Sequence, residues 1–357
     1  MKALIAMSGG VDSSVTAQLM KDRGYDCVGA TMILLDSCLE KESEGNNINK
    51  NIEDAAGVCE KIGIPFELLH YEEEFKKRVI EPFIECYERA LTPNPCIECN
   101  RCIKFKRLFE DKERLGCDIL ATGHYARVEY DEARGRYLLK KAKDPDKDQS
   151  YVLYTLTNEQ LKSIAFPLGE FTKEETRALA QRAGLENAKK SDSQDICFVP
   201  EGKYAEFIEK YTGKSYPEGD FIDREKRLLG RHKGYIRYTI GQRKGLGISA
   251  EYPLYVNDID PENNEVTLGK NEELFMKSLI ADNINLIAVD RIDKPMRVKA
   301  KIRYRQKEQA ALVVQIDEDH LKVEFEEPQR AITRGQSLVL YDDDIVLGGG
   351  IIVSCQK

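Results

Sequence analysis

The first apolar run, residues 2–6, has the length of a strand, and the period then changes. Val15, Leu19 and Met20 fall at helical spacing within 14–23, with Gly24 as a stop. This alternation continues. Residues 27–35 predict a second strand, and the polar stretch 36–50 reads as a loop. Asn51 with Asp54 opens a helix to Ile62, ended by Gly63 and Pro65. Residues 66–70 predict a third strand, 72–91 a long amphipathic helix, and 118–121 a fourth strand that leads into Thr122-Gly123-His124-Tyr125. Strands alternating with helices predict an α/β fold with a doubly wound parallel sheet, whose ligand lies beyond the carboxyl ends of the strands. Met32 and Gly123-His124 fall at that edge.

Past the fourth strand the pattern shifts. Residues 126–156 predict a hairpin with polar turns, then Lys147-Asp148-Gln149-Ser150 and an apolar strand. Two helices follow, the second opened by the capping box Thr172-Lys173-Glu174-Glu175 and closed at Gly184. Pro200 and Gly202 mark a boundary, after which a helix over 204–211 gives way to turn-rich sequence up to Lys270. From about Phe275 the pattern is all strand. Residues 311–316, 321–326, 337–341 and 346–353 complete a small antiparallel barrel or sandwich. The expected division is 1–199 as an α/β domain, 200–270 as a small α+β domain and 275–357 as a C-terminal β-barrel. A length of 357 residues fits two or three domains.

The junction of the first strand and helix reads Ala6-Met7-Ser8-Gly9-Gly10-Val11-Asp12-Ser13-Ser14. A glycine-rich turn entering a helix N-terminus makes an anion site. The backbone can come close, its N–H groups point outward and the helix dipole favours negative charge. Ser8, Ser13 and Ser14 add hydroxyls, and Asp12 could hold a metal ion bridging phosphates. Neither GxxxxGK[ST] nor GxGxxG is present, so the turn is neither a P-loop nor a dinucleotide fingerprint. A plain Gly-Gly turn capped by Ser is the simpler alternative.

Hydrophobic residues make up 41% of the chain, enough for real cores, and the absence of an eighteen-residue apolar run predicts no membrane span. The chain enters a strand at once, with no signal-peptide pattern. Its ten cysteines then point to a reducing cytoplasm, where thiols serve chemistry or core rather than a disulfide frame. Cys96, Cys99 and Cys102 follow Thr92-Pro93-Asn94-Pro95 at spacing three, and the prolines forbid helix up to Cys96. Buried thiols, zinc ligands, an iron–sulfur site and catalytic thiols compete here. Zinc is disfavoured, because there is no second CxxC or His pair and His70, His124, His232 and His320 are scattered. Cys197 on its own reads as a core thiol.

A net charge of −8 argues against indiscriminate nucleic-acid binding, yet two basic clusters stand out. Residues 224–244 carry eight Lys/Arg against one acid, interleaved with Tyr235 and Tyr238. Arg297, Lys299, Lys301, Arg303, Arg305 and Lys307 recur at period two, which puts them on one face of one expected strand. Both suit a phosphate backbone.

The run SGGVDSS resembles the PP-loop of ATP pyrophosphatases, which split ATP between its α and β phosphates and leave AMP on a carbonyl oxygen. It is followed in order by TPNPCIECN, IKF, ATGHYA, KDQSY, SDSQDICF, YTIGQRKG and a basic terminal barrel. Together these resemble, over essentially the whole chain, the bacterial tRNA-specific 2-thiouridylases of the MnmA family. The resemblance implies that ATP, with Mg2+, adenylates the 2-carbonyl oxygen of the wobble uridine in tRNAs for Lys, Glu and Gln. Sulfur from a cysteine desulfurase or relay protein then displaces AMP. It implies an ATP site at Ala6, Met7, Ser8, Gly9, Gly10, Val11, Asp12, Ser13, Met32 and Gly123. It implies that Cys197 receives persulfide sulfur and that Cys99 is its catalytic partner. It implies tRNA contacts at Asn94, Pro95, Cys96, His124, Lys147, Asp148, Gln149, Arg303, Tyr304 and Gln336. Many members have Asp where this chain has Cys96, so Cys96, Cys99 and Cys197 could instead hold a 4Fe-4S cluster whose open iron binds hydrosulfide. Cys102 would then be a spare or a fourth ligand. Two other classes stay open. A PP-loop ligase acting on a small molecule would not need the basic C-terminal modules, and a non-catalytic RNA-binding redox sensor would not need an intact SGGVDSS.

Overall fold

Five parallel strands in the order β3-β2-β1-β4-β7 form the N-terminal sheet of the computed structural model, which describes residues 1–35, 48–185, 187, 190, 196–199 and 202–357. Most of the expected 36–50 loop, residues 191–195 and the expected boundary at Pro200 lie outside the described residues. The strands are β1 (Lys2–Ala6), β2 (Asp26–Ile33), β3 (Phe66–His70), β4 (Ile119–Ala121) and the short β7 (Ile164–Ala165). β1 and β2 are buried without alternation, because helices cover both faces. The chain winds outward from β1 to β2 and β3, then returns to β4 on the other side of β1. That reversal opens a crevice at the carboxyl ends of β1 and β4. The expected doubly wound α/β fold is present.

Helix α1 (Val11–Asp22) starts three residues earlier than its apolar spacing suggested. Gly10 is its extended N-cap, and Ser13 and Ser14 return their hydroxyls to Gly10 O within the first turn. The expected helix over 72–91 is α3 (Glu72–Phe75), a π-helical stretch (Lys76–Ile80) and α4 (Glu81–Glu88), after α2 (Ile48–Ile62).

The Pro-rich segment corrects a sequence expectation. Pro95 is the first residue of α5 (Pro95–Cys99), which runs on through a π-helical stretch (Asn100–Arg107) into α6 (Leu108–Arg114). Proline fits a helix's first position, where its missing N–H would have no partner. Asn94 Oδ1 caps the helix by accepting from Cys96 N at 3.2 Å. The three thiols therefore ride on a helix, not a loop. The apolar run after Gln149, expected as a strand, is a 3-10 turn (Ser150–Leu153). It buries Tyr151 and Tyr154, whose hydroxyls meet Ser337. A short apolar run cannot by itself separate strand from turn. The helix α7 (Asn158–Lys162) and α8 (Lys173–Arg182) follow, and both have complete capping boxes.

The middle of the chain is α+β. Helix α9 (Tyr204–Thr212) precedes a four-stranded sheet of β8 (Gly219–Ile222), β9 (Leu228–His232), β10 (Tyr255–Asp260) and β11 (Glu265–Gly269). The C-terminal six strands are β12 (Phe275–Leu286), β13 (Met296–Lys301), β14 (Gln309–Gln315), β15 (Leu321–Arg330), β16 (Ser337–Asp342) and β17 (Ile345–Gln356). β12 pairs with both β15 and β17, which closes the barrel. The hairpin β5 (Arg127–Asp131) and β6 (Arg136–Lys140) extends this sheet through Ile345 and Lys140. Val339, Tyr341 and Val346 of the barrel share one hydrophobic core with Tyr151, Tyr154, Ile97 and Cys99. The barrel thus packs directly on the layer that carries the thiols. Among the described residues no helix is long and apolar enough to cross a membrane.

Candidate active site

The glycine-rich turn is built from both sides. Gly9 has φ +69°, and a Cβ there would lie 2.3 Å from Asn51 O, so conformation and space both demand glycine. Its carbonyl accepts from Asn187 Nδ2 and Lys190 Nζ, each at 3.2 Å, and Lys190 also reaches Asn51 and Asp54. Met7 is tied to β2, its N–H donating to Ala30 O and its carbonyl accepting from Thr31 Oγ1. Ser8 N donates to Ser13 Oγ at 3.1 Å. Ala6 ends β1, Val11 is buried, and Met32 is half-buried near the end of β2. Gly123 closes the other wall. A Cβ there would come within 3.0 Å of Asp12 C and Ser13 N. The glycine turn and the first turn of α1 are thus packed so closely against Asn51 and Gly123 that two positions have no room for a side chain, and the helix presents its N-terminal N–H groups beside them. That suits a polyphosphate.

Asp12 is not an open metal ligand. Its carboxylate accepts from Lys173 Nζ at 2.8 and 2.9 Å and from Tyr125 OH at 3.0 Å. Sequence reading gave Lys173 no role, since its capping-box neighbours account for its stretch.

His124, next to Gly123, turns the other way. Its ring packs against Phe105 and Phe166, and Nδ1 meets Thr122 Oγ1 at 2.7 Å. Burial, with Lys104 adding to it, holds its pKa well below the ordinary value of 6.5, so the imidazole is neutral. Lys104 also acts on the thiols. Burial pushes Cys197 up to about 12, Cys99 and Cys96 add to the rise, and Lys104 pulls it down. Cys99 is raised to about 11 by burial, again countered first by Lys104. Cys96 is raised by burial and lowered by the same cation. Cys96 and Cys197 are exposed as residues, yet enough protein surrounds both thiols to desolvate them. Lys104 lies in the π-helical stretch, one wide turn beyond Cys99. Nothing in the run Ile103-Lys104-Phe105 itself shows this role.

Cys197 is placed by its neighbour. Phe198 is buried and meets Phe75, Phe83 and Phe207 with centroids 5.7, 5.2 and 5.3 Å away. The core residue here is Phe198, not Cys197. Cys197 is seven positions after Lys190, which bonds the glycine turn, so at most about 25 Å of chain joins the two. Among the described residues no three Cys, His, Asp or Glu side chains are grouped to hold a metal ion. Cys96, Cys99 and Cys197 come close enough for their charges to act on one another.

Several residues implied for tRNA contact lie at seams between domains. Asn94 and Pro95 begin the thiol helix. Gln149 is stitched to Tyr125 by two main-chain hydrogen bonds, one through its own N–H and one through its side-chain oxygen. Asp148 accepts from Ala142 N and Ser150 Oγ, and its carbonyl accepts from Tyr304 OH at 3.3 Å. Lys147 is half-buried beside it. Gln336 donates to Thr92 O. Arg303 is a strut: its Nη2 donates to Ile240 O, Ala331 O and Thr333 Oγ1 at 3.3, 3.0 and 2.7 Å.

Both basic clusters need correction. β13 ends at Lys301, because its pairing with β14 stops at Ala300 and with β16 at Lys301. Arg303, Arg305 and Lys307 are in the following loop, not on one strand face. Period alone does not show where a partner strand ends. In 224–244, five of the eight cations are ion-paired: Arg224 with Glu273, Lys226 with Glu265, Arg227 with Asp223, Arg231 with Asp220, and Arg237 with Glu206 and Glu209. Those acids stand outside the counted window, so a linear count could not see them.

Three family models match the chain. They are described as the tRNA methyl transferase HUP domain over residues 1–201, the tRNA methyl transferase PRC-barrel domain over 205–270 and the aminomethyltransferase beta-barrel domain over 276–352. A tRNA-specific 2-thiouridylase MnmA from Clostridioides difficile is 50% identical over 98% of both chains. One from Acetivibrio thermocellus is 48% identical over 98% of this chain and 99% of the relative. A solved 4-thiouridine synthetase–RNA complex with bound ATP overlaps 58% of this chain and 50% of that one at 19% identity and TM-score 0.34, too low to add to these matches.

Proposed function

The chain belongs to the family of tRNA-specific 2-thiouridylases, and from that membership and the geometry we propose that it converts a wobble uridine of tRNA to 2-thiouridine with ATP. Residues 1–199 would carry the chemistry, and 200–270 and 275–357 would hold the tRNA, with those for Lys, Glu and Gln as the expected substrates. Pyrophosphate would lie in the N–H cradle of Gly9, Gly10, Val11, Asp12 and Ser13, with the adenosine toward Ala6, Met32 and Gly123. Mg2+, when bound, would neutralise phosphate charge; Asp12 is the carboxylate on the turn, and it could hold the ion only by giving up its bonds to Lys173 Nζ.

The uridine's 2-carbonyl is a poor electrophile, and its oxygen leaves poorly. Transfer of AMP to that oxygen expels pyrophosphate, sheds the N3 proton and creates a phosphate leaving group. The terminal sulfur of a Cys197 persulfide then attacks C2, and AMP departs with the oxygen. The base is left joined to Cys197 through a C2–S–S link. The Cys99 thiolate attacks the Cys197 sulfur, the S–S bond breaks, and its electron pair leaves on the uridine sulfur. The products are 2-thiouridine and a Cys99–Cys197 disulfide, which an external dithiol reduces. Lys104, shared by the three thiols, would favour their anionic forms. A cysteine desulfurase or relay protein would load Cys197.

One observation supports this most directly. Gly123 touches the backbone of the glycine turn, and the adjacent His124 shares Lys104 with the thiols, so one turn serves both halves of the reaction. ATP–pyrophosphate exchange with and without tRNA, followed by nucleoside mass spectrometry, tests the reading. The expected result is AMP formation that depends on tRNA and a uridine with one oxygen replaced by sulfur. Exchange driven by a small molecule without tRNA would instead indicate a ligase.

A further inference from the structure

We propose that Cys102 is the outlet for the disulfide made in each sulfur transfer: its thiol takes Cys99 away from Cys197, and the bond that waits for reduction is Cys99–Cys102. The inference rests on the persulfide relay of Cys197 and Cys99.

Cys99 is the last residue of α5, and Cys102 stands three positions on, in the π-helical stretch that continues it. Residues three apart on a helix are neighbours on its surface, with Cβ atoms about 5–6 Å apart and Cα atoms within the span a disulfide bridges. The charge of Cys102 acts on Cys99, as that of Cys99 acts on Cys197, so Cys99 links the other two. Cys99 is 8% exposed and gives a reductant little access, whereas Cys102 is half-buried. Cys102 Sγ donates to Glu98 Oε2 at 3.9 Å, and Arg101 holds the same oxygen through Nε and Nη2 at 3.2 and 2.5 Å. Burial raises the Cys102 thiol's pKa, and Arg101, Arg78 and Lys106 oppose the rise, while at Cys96 the opposing cation is Lys104. Of the two helix neighbours of Cys99, Cys102 therefore has more positive charge around it to hold a thiolate.

The chemistry is one exchange. The Cys102 thiol loses its proton past Glu98 to water, and its thiolate attacks Sγ of Cys99. The Cys99–Cys197 bond breaks, and its electron pair leaves on Cys197. Cys197 is then a free thiolate and can take the next sulfur atom while Cys99 is still oxidised. An external dithiol reduces the Cys99–Cys102 bond and itself becomes a disulfide. Helix spacing holds the two Cβ atoms wider than the relaxed disulfide separation of about 3.8 Å, and a bond held that way is easier to reduce. Its reduction draws the exchange forward.

The test is disulfide mapping after one turnover. Full-length protein carrying a Cys197 persulfide is mixed with ATP and tRNA without dithiol, quenched with acid, alkylated with N-ethylmaleimide and digested with trypsin. Trypsin cuts after Arg101, so a Cys99–Cys102 bond joins two peptides, while a Cys96–Cys99 bond stays within one. Mass spectrometry of the parent is expected to show the Cys99–Cys102 link and an alkylated Cys197. C102S is expected to stop at Cys99–Cys197. At limiting dithiol its 2-thiouridine formation should slow about tenfold after the first equivalent, and excess dithiol should restore it, which it would not do for a merely structural defect. The parent's map decides the question even if C102S folds poorly. A parent that keeps Cys99–Cys197, or links Cys96 to Cys99, overturns the role of Cys102 and leaves the relay standing. So does C102S turnover equal to the parent's at limiting dithiol. A parent that thiolates tRNA and forms no disulfide overturns the relay and this inference together.

Discussion

Gln336 of the barrel donates its side-chain amide to Thr92 O at 2.9 Å, and Thr92 N donates back to Arg334 O at 3.0 Å. Between these contacts Gly335 has φ +88°, and a Cβ there would lie 3.0 Å from Thr92 N. The C-terminal domain thus clasps the segment from which the thiol helix starts. Q336A should lower stability by about 1 kcal/mol in the absence of tRNA, the usual net worth of one such hydrogen bond. Chemical denaturation measures this. Unchanged stability with weakened tRNA binding would show that Gln336 serves the RNA and not the clasp.

Phe198 should matter to sulfur transfer more than its apolar character suggests. It fixes the residue before it, so F198A removes about 3–5 kcal/mol of packing and lets Cys197 wander. F198L, nearer in volume, should cost far less. In either variant tRNA-dependent AMP release should persist while 2-thiouridine yield falls. Parallel loss of both products at full stability would mean that Phe198 does not act through Cys197.

Most of the fold was legible, because it rests on local patterns. The βα alternation, the Gly9-Gly10 turn and the Thr172 capping box each have a period or a residue set that survives any context. What was missed depended on distant partners. Pro93 and Pro95 argued against helix until Asn94 was seen to cap one. Arg303 continued a basic alternation, but its acceptors Ile240, Ala331 and Thr333 lie in other parts of the chain. Lys104 and Lys173 were silent for the same reason: what gives each a role is a group placed beside it by the sheet's crossover connections. The cysteine pair was found through motif resemblance, since nothing within SDSQDICF shows that Cys197 meets Cys99.

Lys104 offers a direct chemical test. With Cys197 near 12 and Cys99 near 11, both resting thiols are almost wholly protonated at neutral pH. Their alkylation by iodoacetamide should therefore rise about tenfold per pH unit from pH 7 to 10, without a plateau. K104Q removes the cation that opposes burial, so alkylation of both should slow several-fold at every pH. Peptide mass spectrometry with light and heavy reagent separates the sites. A plateau below pH 9 would contradict the buried, protonated thiols.

His124 should make the protein acid-sensitive in a defined window. In the unfolded chain it takes a proton near pH 6.5, while in the folded protein burial and Lys104 keep it neutral well below that. The unfolded state therefore binds more protons as pH falls below about 6.5, and stability should drop by up to about 1.4 kcal/mol per unit. H124N should flatten that slope between pH 6.5 and 5.5. His232, also depressed by burial, contributes equally to both proteins and cancels in the difference. Identical slopes would mean that His124 is protonated in the fold.

Cys96 separates the two ways of delivering sulfur. It stands in the first turn of the thiol helix, exposed as a residue, three positions before Cys99. In the persulfide relay it is neither donor nor resolving thiol, and many relatives are expected to carry aspartate there. C96D should then keep much of the thiolation, whereas C99S and C197S should stop it and leave AMP release intact. A cluster would make Cys96 a ligand, and a carboxylate replaces thiolate poorly on iron. In that case C96D would lose activity, iron and visible absorbance together. The relay is the mechanism proposed above. Aerobically prepared, iron-free protein should therefore make many equivalents of 2-thiouridine from cysteine, a desulfurase and a dithiol. Turnover that appears only after anaerobic iron–sulfur reconstitution, with an absorbance that C96D abolishes, would replace the relay with the cluster.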